Sequence, residues 1–182
     1  MNQIARLNKA YEAQIKLKWD SGLHGAERTW IAVYDQSDER RLRTMIGEFE
    51  ISTTRNGHKW CLVDVTNSFP EWLATLEYRE AYFADPDFLE MQYAEFESWL
   101  HDRLIAVAKE IDDQTVLAIA GAGSLFGFAR VSSIIGGLAE RVPGRLLVFF
   151  PGSVDGNTYR LLNARDGWNY RAVAITAAGY QK

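Results

Sequence analysis

The side chains best suited to chemistry lie near the end of the chain, in NTYRLLNARDGWNYRAVAI at residues 157–175. Two runs typical of strands flank Asp166-Gly167, a dipeptide that favours a two-residue hairpin turn. Arginines alternate with aromatic residues here, and an arginine over an aromatic ring gives a cation–π contact. The same residue types carry much of the binding energy of protein interfaces, and aromatic rings also stack on nucleic-acid bases. The sequence therefore predicts a C-terminal β-hairpin that either only closes the sheet or binds a partner through Arg165, Trp168, Tyr170 and Arg171.

Polar or small residues also follow each predicted strand: Asp35, Asp64, GAGSLFG at 121–127 and PGSVDGN at 151–157. In open parallel sheets, ligands bind outside the carboxyl ends of the strands. GAGSLFG lacks the lysine and hydroxyl of a phosphate loop, and Phe126 stands where a dinucleotide fingerprint needs its third glycine. We therefore interpret it as a tight strand-to-helix turn. Asp35 and Asp64 are the best general acid/base candidates by position, with helix capping or ion pairing as the alternative.

Nucleophilic catalysis and metal binding find little support in the sequence. Ser124 follows a glycine at a strand end, but it lacks the G-x-S-x-G context of a nucleophile elbow. Metal sites need clustered ligands at short spacing, and the three histidines are scattered, at His24, His58 and His101. The sequence thus predicts no catalytic residues, no cofactor and no metal.

Composition favours one folded domain. The 182 residues include 47% hydrophobic residues and six tryptophans, which is typical of a globular protein with its own core. No apolar run approaches the ~20 residues of a membrane span, and the N-terminal residues lack the apolar stretch of a secretory signal. The one cysteine, Cys61, is expected to be a buried strand residue in a reducing compartment. We expect a single cytoplasmic domain over residues 1–182 that contacts no membrane.

Charge is uneven along the chain. The net charge is −4, yet residues 77–113 carry eleven acidic and three basic side chains, and residues 114–182 carry three acidic and seven basic ones. The overall negative charge argues against a nonspecific DNA-binding protein. The acidic central part is expected to be a solvated helix face or a docking surface for a basic partner. The basic C-terminal third leaves a local DNA contact as an alternative.

The spacing of apolar residues predicts alternating strands and helices. Strands are predicted at residues 29–35, 60–65, 115–123 and 144–152. An N-terminal helix and a long helix over 86–111 are expected, with further helices capped by Ser37 and Ser124. A short helix should follow Ser68, whose spacing to Glu71 is that of a capping box. All-apolar strands are typical of parallel sheets, so the predicted fold class is α/β, with a mainly parallel sheet flanked by helices and a C-terminal β-hairpin.

Six segments of the chain form a recognisable set: HGAERTWIAVYDQSDERRLRTMIGEFE, WCLVDVT, EYREAYF, GAGSLFGFARVS, GRLLVFFPG and NTYRLLNARDGWNYRAVAI. Together they resemble the BrxB family of bacterial BREX phage-defence systems, over roughly residues 5–176. The resemblance implies a small cytoplasmic protein without known catalytic activity. Such a protein works beside an AAA+ ATPase component (BrxC), a PglZ-like phosphatase-like component, a DNA-methylating component and a small DNA-binding component. The resemblance supplies no catalytic residues.

The expected function is that of a non-catalytic adaptor. It would bind the PglZ-like component or BrxC through the hairpin around Trp168 and the acidic helix face. Two other classes of function are left as alternatives. A nucleotide-responsive or hydrolytic domain would use the crevice at the carboxyl ends of the strands, and a DNA-contacting subunit would use the basic C-terminal third.

Overall fold

The computed structural model describes residues 1–164 and 167–181, and within them the chain forms seven helices and eight strands. The strands are β1 (Thr29–Tyr34), β2 (Lys59–Asp64), β3 (Thr115–Ala120), β4 (Arg145–Asp155), β5 (Thr158–Leu161), β6 (Trp168–Asn169), β7 (Val173–Thr176) and β8 (Gly179–Gln181). The helices are α1 (Gln3–Ile15), α2 (Glu39–Arg55), α3 (Ser68–Thr75), α4 (Arg79–Ala84), α5 (Asp87–Glu90), α6 (Tyr93–Lys109) and α7 (Val131–Ala139). Short 3-10 turns, Gln36–Asp38 and Ala122–Leu125, follow β1 and β3.

The strands pair in the order β2-β3-β4-β1-β7-β8. The first five of these are mutually parallel, and β8 is antiparallel to β7 at the edge. Past the end of β1, β4 continues and pairs antiparallel with β5, which in turn pairs with β6. The predicted α/β class with a mainly parallel sheet flanked by helices is confirmed.

Alternate residues of the central strands face two different helical layers. Trp30, Ala32 and Tyr34 of β1 belong to the core under α1 and α2. Ile31 and Val33 belong to the larger core on the opposite face, which includes residues of α3, α5, α6 and α7. Strands buried on both faces explain why β1, β3 and the first part of β4 are almost wholly apolar. Full burial of each large side chain contributes roughly 1.5–3 kcal/mol, so these two layers fix the sheet that positions every site below.

The helix predicted over residues 86–111 is interrupted, and this prediction was wrong. α5 ends at Glu90 and α6 begins at Tyr93. The apolar stripe nevertheless continues across the break, because Leu89 is buried in the same core as Phe96 and Leu100. Periodicity alone therefore did not distinguish one helix from two. The short helix α4 was not predicted.

The three predicted serine caps were also wrong, because 3-10 turns or an earlier start displace them. Ser37 lies inside a 3-10 turn and donates to the Asp35 carboxylate, so Asp35 is the capping residue. Ser124 likewise lies in a 3-10 turn, and its hydroxyl donates to the carbonyl of Gly121 at 2.7 Å. Ser68 is already the first residue of α3 and makes no side-chain cap. Helix positions were thus predicted better than helix starts.

Cys61 departs from its predicted burial. β2 is an edge strand of the sheet, and each of its residues is exposed or half-buried. The Cys61 thiol is half-buried rather than buried, and partial burial raises its pKa. No helix in the described ranges has both the length and the apolar character that crossing a membrane requires.

Candidate functional site

The C-terminal hairpin exists, but its strands differ from those predicted. β5 and β6 pair antiparallel, with Tyr159 opposite Trp168. The second predicted strand is split, because residues after Tyr170 leave the hairpin and form β7 beside β1 in the main sheet. Alternating burial explains the split, since Ala174 and Ile175 complete the core on both faces. Arg165 and Asp166 lie outside the described residues, so the predicted turn and the predicted role of Arg165 remain predictions.

A tight turn forms earlier in the chain, at another Asp-Gly dipeptide, Asp155-Gly156. β4 ends at Asp155 and β5 begins at Thr158, so Gly156 and Asn157 form a two-residue connection. Gly156 has φ +55°, a value that glycine adopts at low cost. The stretch PGSVDGN, expected to be a loop at a strand end, is therefore mostly strand.

Trp168 and Tyr170 are packed together and against the core. Their rings stack with centroids 4.6 Å apart, and Trp168 also lies 5.7 Å from the ring of Tyr159. Both side chains are half-buried. Tyr159 is fully buried, its hydroxyl donates to the carbonyl of Ala172, and burial raises its pKa to about 12. Packing on one another and against the core is a sufficient structural reason for these aromatic residues. Arg171, by contrast, is exposed and lies at the rim of a cavity.

A group of exposed apolar side chains lies elsewhere, on the segment that contains α4 and α5. Four large side chains here are between 58% and 75% exposed. We call this surface the α4–α5 patch, and its residues are Tyr78, Phe83, Phe88 and Met91. Residues 77–91 also carry five acidic side chains and one basic one. Exposed apolar groups concentrated in one segment are typical of interaction sites.

Short helices explain why these four side chains stay outside the core. α4 and α5 have six and four residues, with Pro86 between them. Leu89 anchors this segment in the core, and Tyr82 packs beside it, which leaves the intervening aromatic residues turned away. The sequence analysis missed this patch. A signal was present, because Phe88 and Met91 fall out of phase with the apolar stripe of α6.

The segment after β1, the turn after β3 and Pro151 of β4 border a crevice of about 580 Å³, and its wall residue Arg43 is paired with polar side chains in and beside it. We call it the carboxyl-end crevice. Arg43 of α2 donates to Glu39 at 2.9 Å, to Asp64 at 3.3 Å and to the Thr66 hydroxyl at 2.6 Å. The Tyr34 hydroxyl also donates to Glu39. The side chains form one closed network that ties the start of α2 to the loop after β2.

The two predicted acid/base candidates are both held in the charged state. Hydrogen bonds from the side chain and the backbone N–H of Ser37 lower the pKa of Asp35. Burial alone raises the pKa of Asp64, but hydrogen bonds from Thr66 and Arg43 together lower it below its ordinary value. A general acid or base works best when its pKa lies near the operating pH. Both carboxylates lie at the same edge of the sheet. Asp35 caps a 3-10 turn, and Asp64 forms an ion pair with Arg43.

The glycine-rich turn after β3 packs directly against this network. Gly121 has φ +83°, and a Cβ there would overlap the Thr66 hydroxyl and lie 2.8 Å from an Asp64 oxygen. Glycine is therefore needed both for the backbone angle and for the close approach, which confirms the interpretation of GAGSLFG as a tight turn.

The three histidines lie in separate places. His58 stacks on Trp19 with ring centroids 3.8 Å apart, and burial together with the charge of Arg145 lowers its pKa. His101 of α6 approaches α7 so closely that a Cβ at Gly137 would overlap its ring. The backbone N–H of His24 donates to Glu27. Across residues 1–164 and 167–181, no group of three histidine, cysteine or carboxylate side chains is placed to hold a metal ion.

Comparison with known proteins adds one match. Residues 88–175, just under half of the chain, match the family model BrxB, described as BREX protein BrxB. This match supports the resemblance to the BrxB family that the sequence analysis gave. Proteins of that family are components of BREX defence systems. No curated protein and no solved structure matches the chain.

The BrxB match begins at Phe88 and ends at Ile175. It contains β3, β4, the hairpin and two residues of the α4–α5 patch, Phe88 and Met91. Tyr78 and Phe83 precede it, as do Asp35 and Asp64. The wider resemblance predicted from residue 5 onward therefore stays a prediction for the first half of the chain.

Proposed function

We propose that this BrxB-like protein is a non-catalytic adaptor, which docks a larger BREX component through the α4–α5 patch. The observation that carries the proposal is the exposure of Tyr78, Phe83, Phe88 and Met91 within one short segment. The candidate partners are those that the family resemblance implies, the PglZ-like phosphatase-like component and the AAA+ ATPase component BrxC.

The energetics of the patch favour a protein partner. Burying a large apolar side chain contributes roughly 1.5–3 kcal/mol, and four such groups offset a substantial part of the cost of association. In a monomer these groups stabilise nothing, and they increase the risk of aggregation. Four such groups in and beside two short helices are best explained by a surface that is covered in a complex.

The charge of the patch indicates the chemistry of the partner. Five acidic side chains and one basic one accompany the apolar groups in residues 77–91. A complementary surface would be apolar at its centre and bordered by lysine or arginine. Such charge pairs speed association and fix orientation, so we expect the association rate to fall as salt increases.

The test is size-exclusion chromatography with light scattering on the chain mixed separately with the PglZ-like component and with BrxC. We expect a complex with one of them, and we expect Phe83→Ser combined with Phe88→Ser to weaken it at least about tenfold. Phe126→Ser is the matched control, because Phe126 is another exposed phenylalanine outside the patch. Failure of both components to bind at micromolar concentration, or equal binding by the double variant, would contradict the proposal.

The hairpin predicted from the sequence stays a second candidate surface, and Trp168→Ala separates its two interpretations. Because Trp168 is half-buried against Tyr159 and Tyr170, we expect truncation to cost about 2 kcal/mol of unfolding free energy. A variant that remains as stable as the parent but no longer binds the partner would instead identify the hairpin as a docking surface.

The two alternative functions have less support. In the carboxyl-end crevice, Arg43 and Asp64 are engaged with each other, which leaves them less able to hold a nucleotide phosphate or act on a substrate. Among the basic residues of the C-terminal third, Arg145 is buried and therefore poorly placed for DNA phosphates. Titration with duplex DNA at rising salt tests the second alternative, since electrostatic binding weakens steeply with salt.

A further inference from the structure

A second cavity lies at the opposite edge of the sheet, at the amino ends of β1, β4 and β7. Its volume is about 490 Å³, within the range of small-molecule sites. The end of α1, the loop at residues 17–23 and residues 171–173 form its walls. We call it the amino-end cavity.

The cavity contains a buried cation that makes no ion pair within the described residues. Arg145 is only 5% exposed, and its guanidinium donates to the backbone carbonyls of Gly144 and Asp20, each at 3.2 Å. Its Cζ also lies 4.7 Å from the ring centroid of Trp19. Within residues 1–164 and 167–181, no carboxylate oxygen comes within 4.0 Å of it. Burial and the nearby charge of Arg28 lower its pKa, and the nearby charge of Asp20 only partly offsets them.

A second polar group in the wall is also unpaired. Gln14 is 6% exposed, and its Oε1 has no hydrogen-bond partner among the described residues. Trp19 is another wall residue, and its indole Nε1 also has no hydrogen-bond partner among the described residues. Three further buried side-chain atoms without a hydrogen-bond partner among the described residues lie next to the amino ends of β1 and β2. They are Arg28 Nε, His58 Nδ1 and Trp60 Nε1. Buried polar atoms are normally paired, so their concentration at one edge points to a missing partner.

The other charged groups of the cavity leave it available to an anion. Lys18 and Arg171 are exposed at its walls. The two wall carboxylates are engaged with their own loop, because Asp20 accepts from the N–H of Gly22 at 2.8 Å and Glu27 accepts from the N–H of His24 at 3.0 Å. Three cations therefore face two carboxylates that already have donors.

We propose that the amino-end cavity binds a small organic anion that carries both an anionic group and a hydrogen-bond donor. Arg145, Lys18 and Arg171 hold the anionic group, a phosphate ester or a carboxylate, through charge-assisted hydrogen bonds. The amide of Gln14 accepts from the donor. The Trp19 ring contacts both the Arg145 guanidinium and the His58 ring, so its assigned role is to orient the guanidinium rather than to stack on the ligand. The site is separate from the α4–α5 patch and does not depend on the adaptor role.

The test is calorimetric titration of the full chain at constant ionic strength with three probes: inorganic phosphate, a nucleoside monophosphate and glutamate. The nucleoside monophosphate and glutamate separate a phosphate-ester ligand from a carboxylate ligand. We expect one of these two organic anions to bind with a millimolar or lower dissociation constant and to raise the melting temperature, as selective binding to the folded state requires.

Substitutions of residues in the cavity wall test whether the anion binds there. Arg171→Ala should weaken binding about tenfold, the loss expected for one charge-assisted contact. Arg160→Ala is the matched control, because Arg160 is an exposed arginine of β5 outside the cavity wall. Lys18→Ala gives an independent test at another wall residue, which is exposed, so buried packing is unchanged. The proposal is overturned if neither organic anion binds, if inorganic phosphate binds as tightly as they do, or if binding is insensitive to both Arg171→Ala and Lys18→Ala.

Discussion

The carboxyl-end crevice and the amino-end cavity lie at opposite edges of one sheet, and their polar side chains are in opposite states. In the crevice, Arg43 is hydrogen-bonded to Glu39, Asp64 and Thr66. In the cavity, and among the described residues, Arg145 hydrogen-bonds to backbone carbonyls and lies over an indole ring, and Gln14 has an unpaired oxygen. The polar side chains of the crevice hold its loops together, whereas those of the cavity are left available for the proposed ligand.

The proposed binding site follows from the pairing state of the polar groups rather than from their position in the sheet. The general rule for open parallel sheets selects the carboxyl ends of the strands. A polar group already paired in the free protein must break its own hydrogen bonds to bind a ligand, but an unpaired buried group loses nothing and relieves a penalty. In this chain the two criteria point to opposite edges.

The largest effect is expected in the crevice, from Gly121→Ala. The new Cβ would overlap the Thr66 hydroxyl, and the φ of +83° is strained for alanine, so we expect the free energy of unfolding to fall by about 3 kcal/mol. Urea denaturation measures the change. Gly127→Ala is the matched control, because Gly127 has φ +85° but no atom within 4 Å of its Cβ position, and strain alone should cost about 1 kcal/mol. Equal losses in the two variants would mean that the paired network rearranges freely.

An effect of opposite sign is expected in the cavity, from Gln14→Met. Methionine keeps the length of the side chain and removes the unpaired buried oxygen, so we expect the ligand-free protein to gain about 1 kcal/mol. Thermal or urea denaturation provides the measurement. The control is Gln3→Met on the exposed side of the same helix, where the change should be close to zero. A loss of stability in Gln14→Met would show that its oxygen is satisfied in the free protein, and the contrast between the two edges would disappear.

The smallest effect is expected from Asp64→Asn, as a function of pH. Because folding lowers the pKa of Asp64, its contribution to stability is fully present above its ordinary pKa of about 3.9 and is lost as pH falls through the lower folded-state value. The melting-temperature difference between parent and Asp64→Asn should therefore shrink below about pH 4. Thr66→Val, which removes one donor, should behave as an intermediate. A difference that stays constant between pH 3 and pH 7 would argue that Asp64 is not stabilised by its network.

Much of the fold could be predicted from local sequence patterns. β1, β3 and the first part of β4 are apolar because both faces are buried, and four residues of α1 (Ile4, Leu7, Tyr11 and Ile15) reveal its buried face by their spacing. Helix starts were harder, because capping residues such as Asp35 act within 3-10 turns that resemble helix starts in sequence. The break between α5 and α6 left the apolar periodicity unchanged.

The sites were predicted less well than the fold. Trp168 and Tyr170 were chosen for their residue types, but residue type does not reveal that they stack on each other and on the core. The wall of the amino-end cavity combines residues as distant as Gln14, Arg145 and Arg171. No local sequence pattern links these residues. Only the order of strands in the sheet brings the amino ends of β4 and β7 beside the carboxyl end of α1.

The position of β1 has a consequence for how this protein is made. β1 is synthesised early, yet its two neighbours in the sheet, β4 and β7, come from the last third of the chain. During synthesis the central strand must therefore wait with both edges unpaired, a state that favours slow folding and capture by chaperones. The segment that carries the BrxB match, residues 88–175, includes β4 and β7 but not the strand that lies between them. The matched segment therefore lacks the strand that joins β4 to β7 in the sheet.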